Sequence, residues 1–202
     1  MCGLLGVIAT ENKHLSSEDI KKVLSIGNLA QRRGVDASGL VLIEGSQNIH
    51  VVKANHGFET MIETKAAAEL LAIGEQAQSF GLFGHSRLET HGYSGSQVNN
   101  QPVVLGNWVV VHNGVITNAK EIKDSLGLDD GGIETDSVAI ALLLEEWDRS
   151  GRVVESGEVF SRLRGEYSVI AASVFGEVFC RTNVGNLYSV VGDEGQTYLA
   201  SE

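Results

Sequence analysis

The chain has 202 residues, of which 43% are hydrophobic and 20% are charged, a balance typical of a single soluble globular domain. Its formal net charge of −11 argues against nucleic acid or an anionic membrane as a partner, since both bind clustered Lys and Arg. No apolar run approaches the roughly 18 residues of a membrane span, and the N-terminus lacks the basic start and cleavage site of a signal peptide.

The first strand is predicted over residues 4–8, an apolar run between Gly3 and a polar segment. Such a strand ties down a chain end that is normally loose, and Cys2 directly precedes it. If Met1 is removed, Cys2 carries a thiol nucleophile and an α-amine whose pKa of roughly 7.7–8.0 allows it to take the thiol proton. The N-terminus alone also fits a small core cysteine, so both interpretations stay open at this point.

The remaining cysteine and the histidines give no sign of a disulfide or a metal site. Two cysteines without a secretory signal indicate a reducing compartment, and we expect a cytoplasmic protein. Cys180 lies in an apolar, strand-like run, so we expect a core residue rather than a partner for Cys2. No pair of the six histidines has helical i,i+4 spacing, so we expect no metal site.

Alternating and helical apolar patterns in the first half predict a helix, a strand pair, a second helix and a further strand. These elements cover residues 16–30, 39–43, 49–52, 60–73 and 81–87. Ser16 and Asp19 have the spacing of a capping box at the start of the first helix. A long polar loop follows the last strand and runs through Asn100, and loops of this kind are often functional.

The second half predicts one strand, three helices and a closing strand meander, for a total of about eight strands and four or five helices. The elements cover residues 108–111, 118–126, 135–147, 156–163, 167–174, 178–181, 187–191 and 197–200. Asn113-Gly114 between apolar runs is, on local grounds, the signal of a hairpin turn. No linker or internal repeat divides the chain, and two sheets covered by helices on both outer faces would bury these elements.

Five separated segments resemble one family in order and spacing over essentially the whole chain. They are Met1-Cys2-Gly3, the arginine loop Arg33-Gly34-Val35-Asp36-Ala37-Ser38-Gly39, the stretch from Gly84-His85-Ser86-Arg87 to His91-Gly92, His112-Asn113-Gly114 and Glu134-Thr135-Asp136-Ser137. The chain resembles the class II glutamine amidotransferase domain, the glutaminase part of glucosamine-6-phosphate synthase and related surface-sugar amidotransferases. This resemblance implies an α+β fold, the four-layer αββα sandwich of the N-terminal nucleophile hydrolases.

The resemblance also implies a role for each matched residue. Cys2 would be the nucleophile, and the Asn113 side chain and the Gly114 N–H would stabilise the oxyanion. Arg87 suits the α-carboxylate of glutamine, and Asp136 suits its α-ammonium group. Thr90 and His91 are implied as further pocket residues. Arg33 is implied near the N-terminus, where it would support the site without contacting the substrate. Leu88 and Val35 depart from the family, which usually has Trp and Tyr at these positions.

The implied activity is hydrolysis of L-glutamine to glutamate and ammonia through a γ-glutamyl thioester, with no metal or cofactor. The ammonia would go to a synthase domain or subunit that this chain lacks, in amino-sugar synthesis, with a homodimer left open. Residues 1–202 would form one glutaminase domain, shortened at the C-terminus or complete by itself. Two alternatives stay open: a catalytically silent glutamine-binding domain, and a cysteine N-terminal hydrolase that acts on another amide.

Overall fold

The computed structural model describes residues 2–9, 13–45, 48–76, 79–88 and 96–201. Within these residues there are ten strands: β1 (Gly3–Ile8), β2 (Ala37–Glu44), β3 (Asn48–Ala54), β4 (Ser79–Arg87), β5 (Val103–Leu105), β6 (Trp108–Ile116), β7 (Gly165–Ser173), β8 (Val178–Thr182), β9 (Leu187–Val191) and β10 (Thr197–Ser201). The six α-helices of the same residues are α1 (Ser17–Ala30), α2 (Phe58–Ile62), α3 (Lys65–Gln76), α4 (Ala119–Leu126), α5 (Val138–Arg149) and α6 (Ser156–Ser161).

The strands form two antiparallel sheets. The larger has the order β3-β2-β4-β1-β10-β9, and the smaller has the order β5-β6-β7-β8. The N-terminal strand β1 therefore lies in the interior of the larger sheet, between β4 and β10. This position gives the first residues of the chain a fixed place in the fold.

Alternating side chains on the strands explain the layering. On β1, Leu5 and Val7 pack against the helices α1 to α3, whereas Leu4 faces the second sheet. The helices α4 to α6 cover the other sheet through a core that includes Trp108 and Leu142. The helices therefore cover the two outer faces, and the predicted αββα sandwich is confirmed. The space between the two sheets is filled by a third group of apolar side chains.

The predicted helix over residues 60–73 is wrong in its continuity, because the chain forms the two helices α2 and α3 there. The Thr64 hydroxyl accepts a hydrogen bond from the Ala67 N–H at 3.2 Å, and so caps the start of α3. At α1 the predicted capping box is present, with Ser16 and Asp19 bonding reciprocally. None of the helices within the described residues is both long and apolar enough to traverse a bilayer.

Candidate active site

The alternation of side chains along the strands brings three of the predicted site residues to one end of the space between the sheets. Cys2, Arg87 and Asn113 each stand two or four residues along the chain from a side chain of the inter-sheet core, and residues at such spacing share a face. The core side chains in question are Leu4, Phe83 and Val111. A thiol, a guanidinium and a carboxamide therefore face the same end of this space.

The Cys2 thiol is half-buried and donates a weak hydrogen bond to the Leu88 carbonyl, with the sulfur and oxygen 3.6 Å apart. Burial raises the pKa of this thiol, which the charge of Arg87 lowers and the charge of Asp136 raises. Both charges are therefore close enough to act on the sulfur. The net rise in pKa means that the thiol carries its proton at neutral pH and needs a base in order to react.

The arginine loop holds the backbone of Arg87. The Asp36 N–H donates to the Arg87 carbonyl at 3.0 Å, and Gly34 packs so closely that a Cβ there would lie 2.2 Å from the Leu88 nitrogen. Only glycine allows this approach. Arg33 ends a short 3-10 turn just before Gly34 and is half-buried, so it lies in the loop that packs against the Arg87–Leu88 backbone.

The Asn113-Gly114 pair lies inside strand β6, so the local prediction of a hairpin turn is wrong. Gly114 pairs with Tyr167 of β7 and has a φ of +139°, and a Cβ there would lie 2.0 Å from the Glu166 carbonyl oxygen. The Asn-Gly pair suggested a turn because tight turns often need a positive φ, which glycine adopts without strain. Here the positive φ occurs at an irregular point within a strand. Asn113 itself is 2% exposed.

Ser201, near the opposite end of the sequence, connects the strand of Cys2 to Asn113. Its hydroxyl oxygen accepts a hydrogen bond from the Leu4 N–H at 2.8 Å and lies 3.4 Å from the Asn113 Nδ2. Ser201 was not among the predicted site residues, because a serine at the end of a strand pattern carries no signal of its own.

Asp136 lies in the turn before α5, which begins at Val138 rather than at the predicted residue 135. Its Oδ2 accepts a hydrogen bond from the Ile116 N–H at 2.7 Å, which ties this turn to the end of β6. A carboxylate offers about four acceptor sites, so this bond leaves capacity for a cation. Asp136 also lines a cavity of about 540 Å³, whose other lining residues come from around the end of β6, from α4 and from the two residues before Asp136, and do not include Cys2, Arg87 or Asn113.

Residues 99–101 are three consecutive buried amides, here called the amide segment. Their side chains bond to separate parts of the site. Asn99 exchanges two hydrogen bonds with Glu134, one with its side chain at 2.8 Å and one with its backbone N–H at 2.9 Å. Gln101 donates to the His112 carbonyl at 2.9 Å and accepts from the His112 N–H. The segments before Asp136 and before Asn113 are thus attached to the same three residues.

Asn100, the middle residue of the amide segment, contacts Arg87. The Arg87 Nη1 donates to the Asn100 Oδ1, and the Asn100 Nδ2 donates to the Asn55 Oδ1 at 2.7 Å. Asn100 was not among the predicted site residues, although it lies at the end of a polar loop of the kind that is often functional. The run of three amides directly before Pro102 was a further available signal.

The remaining predicted residues add little to this geometry. Thr90 and His91 lie outside the described residues, so their implied roles stay predictions. Leu88, where the family usually has Trp, is 40% exposed. Within residues 2–9, 13–45, 48–76, 79–88 and 96–201 no three potential metal ligands cluster together.

Two buried histidines next to the site should make the fold sensitive to acid. Burial lowers the pKa of His85 to about 3, with further lowering by His112 and Arg87, and burial also lowers the pKa of His112. In the unfolded chain an imidazole has a pKa of about 6.5. Below that pH the unfolded chain binds protons that the native chain does not, so stability falls as pH falls from about 6.5 towards about 3.

We therefore expect His85→Gln to weaken the pH dependence of the free energy of unfolding between pH 6.5 and 5 by up to about 1.4 kcal/mol per pH unit. Urea titrations at several pH values in this window measure the effect. His14→Gln, which replaces an exposed imidazole, is the control and should keep the wild-type slope. Equal slopes for wild type and His85→Gln would contradict the prediction.

Comparison with known proteins relates this arrangement to a family. The chain is 32% identical over 179 residues to glutamine–fructose-6-phosphate aminotransferase of Francisella tularensis, covering 86% of this chain and 27% of the relative. It is 29% identical over 212 residues to the protein of the same name from Sulfolobus acidocaldarius, covering all of this chain and 33% of the relative. The chain thus spans about a third of the length of the curated relatives it matches.

Solved structures agree in fold. Glutamine phosphoribosylpyrophosphate amidotransferase from B. subtilis matches the whole chain over 42% of its own length, with a TM-score of 0.72 at 21% identity. No protein-family model matches the chain. By sequence over its whole length and by fold, the chain is a relative of the class II glutamine amidotransferases and has the αββα sandwich of the N-terminal nucleophile hydrolases.

Proposed function

We propose that this chain hydrolyses the side-chain amide of L-glutamine to glutamate and ammonia through a γ-glutamyl thioester on Cys2. The observation that carries the proposal is the convergence of a thiol, a buried guanidinium and a buried carboxamide at one end of the space between the sheets, within electrostatic range of a carboxylate. Free glutamine offers a group for each of them: an electrophilic amide carbon, an α-carboxylate, a developing oxyanion and an α-ammonium group.

The proposed base is the α-amine of Cys2 itself, freed by removal of Met1. It takes the proton of the Cys2 thiol as the sulfur attacks the amide carbon, and it returns that proton to the nitrogen that leaves as ammonia. Water then attacks the thioester, which releases glutamate and restores the thiol. The buried His85 is poorly suited to this task, because a group with a pKa of about 3 is a weak base for a thiol whose pKa is raised.

The proposed oxyanion donors are the Asn113 Nδ2 and the Gly114 N–H. Fixed donors aimed at the tetrahedral oxygen usually supply a large share of the stabilisation in acyl transfer. The position of Asn113 supports this role, because its amide is buried and its Nδ2 lies near the Ser201 hydroxyl, which also holds the strand of Cys2.

Arg87 and Asp136 are proposed to bind the two charged groups of the amino-acid end. The guanidinium can pair with a carboxylate through two parallel hydrogen bonds, and the fixed backbone of Arg87 supports such a fixed geometry. Asp136 is held by the Ile116 N–H and lies close enough to Cys2 for its charge to raise the pKa of the thiol. Arg33 is proposed to support the N-terminal end of the site, and Thr90 and His91 to complete the pocket.

We expect Arg87→Ala to reduce the preference for glutamine over γ-aminobutyramide, the same amide without its α-carboxylate. Arg87→Lys should also be poor, because an ammonium group cannot reproduce the guanidinium fork. The measurement is kcat/KM for both amides, with glutaramate, which lacks the α-amine, as the control substrate for the Asp136 side. If Arg87→Ala discriminates between glutamine and γ-aminobutyramide as well as wild type does, Arg87 does not bind the carboxylate.

The ammonia is proposed to pass to a synthase domain or subunit, and the names of the curated relatives favour a sugar phosphate as the acceptor, in amino-sugar synthesis. Mass analysis of the N-terminus, with and without a glutamine-analogue chloroketone, tests the central step. We expect loss of Met1 and one covalent adduct on Cys2. A domain that only binds glutamine would show reversible binding without glutamate release.

A further inference from the structure

We propose that Asn100 is a positioning residue for Arg87, and that it determines how strongly the site selects amides that carry an α-carboxylate. The proposal rests on the role of Arg87 in the proposed function. It goes further by naming the residue that orients the guanidinium for substrate.

The amide orientation of Asn100 follows from hydrogen-bond chemistry. A guanidinium has only donors, so the atom of Asn100 that faces the Arg87 Nη1 must be the carbonyl oxygen. The Nδ2 of Asn100 then faces Asn55 and donates to its Oδ1 at 2.7 Å. Asn55 therefore fixes the amide plane of Asn100, and Asn100 fixes one arm of the guanidinium.

Burial makes this contact strong. Arg87 is 4% exposed and Asn100 is fully buried, so water competes little for the hydrogen bond between them. A hydrogen bond to a charged group is worth more than one between neutral groups. It therefore restricts the rotation of the guanidinium about the end of a long and otherwise flexible side chain.

The acceptor for the Arg87 Nη1, the Asn100 Oδ1, is an uncharged amide oxygen. An amide oxygen orients the guanidinium without placing a negative charge beside it. A carboxylate in the same place would form an internal ion pair with Arg87 and would compete with substrate. Asn at residue 100 thus orients the Arg87 guanidinium and adds no negative charge next to it.

The test compares two variants of Asn100 with a variant of a buried amide elsewhere in the fold. Asn100→Asp keeps the size of the side chain and adds a negative charge, whereas Asn100→Ala removes the acceptor. Asn118→Ala is the matched control, because Asn118 is also a buried amide but bonds to the Arg162 carbonyl and the Arg164 N–H rather than to Arg87. Asn55 is exposed, and Asn55→Ala removes the oxygen that accepts the hydrogen bond from the Asn100 Nδ2.

We expect Asn100→Asp and Asn100→Ala to lower the ratio of kcat/KM for glutamine to that for γ-aminobutyramide by about 10- to 100-fold, the usual worth of a hydrogen bond to a charged group. The loss should lie mainly in KM for glutamine. Asn55→Ala should lower the ratio less, and Asn118→Ala should leave it unchanged. Alkylation of Cys2 by iodoacetamide, which has no carboxylate, should keep its wild-type rate in Asn100→Ala, which adds no charge near the thiol.

The outcomes separate this proposal from the proposed function. If Arg87→Ala lowers the ratio but both Asn100 variants keep it, Asn100 is only a packing residue and the inference is overturned. If Arg87→Ala itself leaves the ratio unchanged, the carboxylate role of Arg87 fails, and this inference fails with it. Should Asn100→Ala not fold, the isosteric Asn100→Asp and the exposed Asn55→Ala still decide the matter.

Discussion

Replacing Cys2 by Ala should abolish glutamate release, and Cys2→Ser should nearly abolish it, because the proposed thioester needs a sulfur nucleophile. The fold should survive both changes, since the thiol is half-buried and makes only one weak hydrogen bond, to Leu88. The measurements are glutamate release and the far-UV circular dichroism spectrum of each variant.

The second cysteine provides the control for this result. Cys180 is also half-buried, and burial raises the pKa of its thiol to about 11, so it should stay protonated and unreactive. Cys180→Ala should therefore release glutamate at the wild-type rate and still form the chloroketone adduct. Glutamate release by Cys2→Ala at a rate near that of wild type would remove Cys2 from the role of nucleophile.

Asn113→Ala should lower kcat by about 10²–10³-fold, which corresponds to roughly 3–4 kcal/mol of transition-state stabilisation for one lost oxyanion donor. The change should act on kcat more than on KM, because the oxyanion exists only in the transition state and the intermediate. Steady-state kinetics with glutamine over a range of concentrations separate the two parameters.

Asn118→Ala is the matched control for Asn113→Ala. Asn118 is also a buried amide, 6% exposed, and its side chain bonds to the Arg162 carbonyl and the Arg164 N–H. Its loss should lower the free energy of unfolding and leave kcat close to that of wild type. A rise in KM alone for Asn113→Ala would mean that Asn113 only shapes strand β6.

The architecture was largely predictable from sequence, because long strands with two buried faces and helices with one apolar face leave strong periodic patterns. Strand β5 was missed, since three residues are too short to show a period. The break between α2 and α3 was missed, because the apolar period continues across the cap at Thr64. The local sequence at Gly114 correctly indicated an unusual backbone but not that a strand would contain it.

The candidate site was predictable where a family motif marked it, as at Cys2, Arg87, Asn113 and Asp136. The residues that hold these four in place were not predictable. Ser201 and the amide segment act across large separations in sequence, through side-chain hydrogen bonds that leave no periodic pattern. Which polar residue meets which partner depends on strand register, and only the folded structure fixes that register.

The interior position of β1 determines when, during synthesis of the chain, the sheet around Cys2 can be completed. Leu5 lies opposite Ala200, so the sheet that flanks Cys2 requires residues from both ends of the sequence. Contacts between such distant residues form slowly, because a very long loop must close before they are made. A ribosome-bound chain therefore holds Cys2 in an unfinished sheet until β10 has emerged.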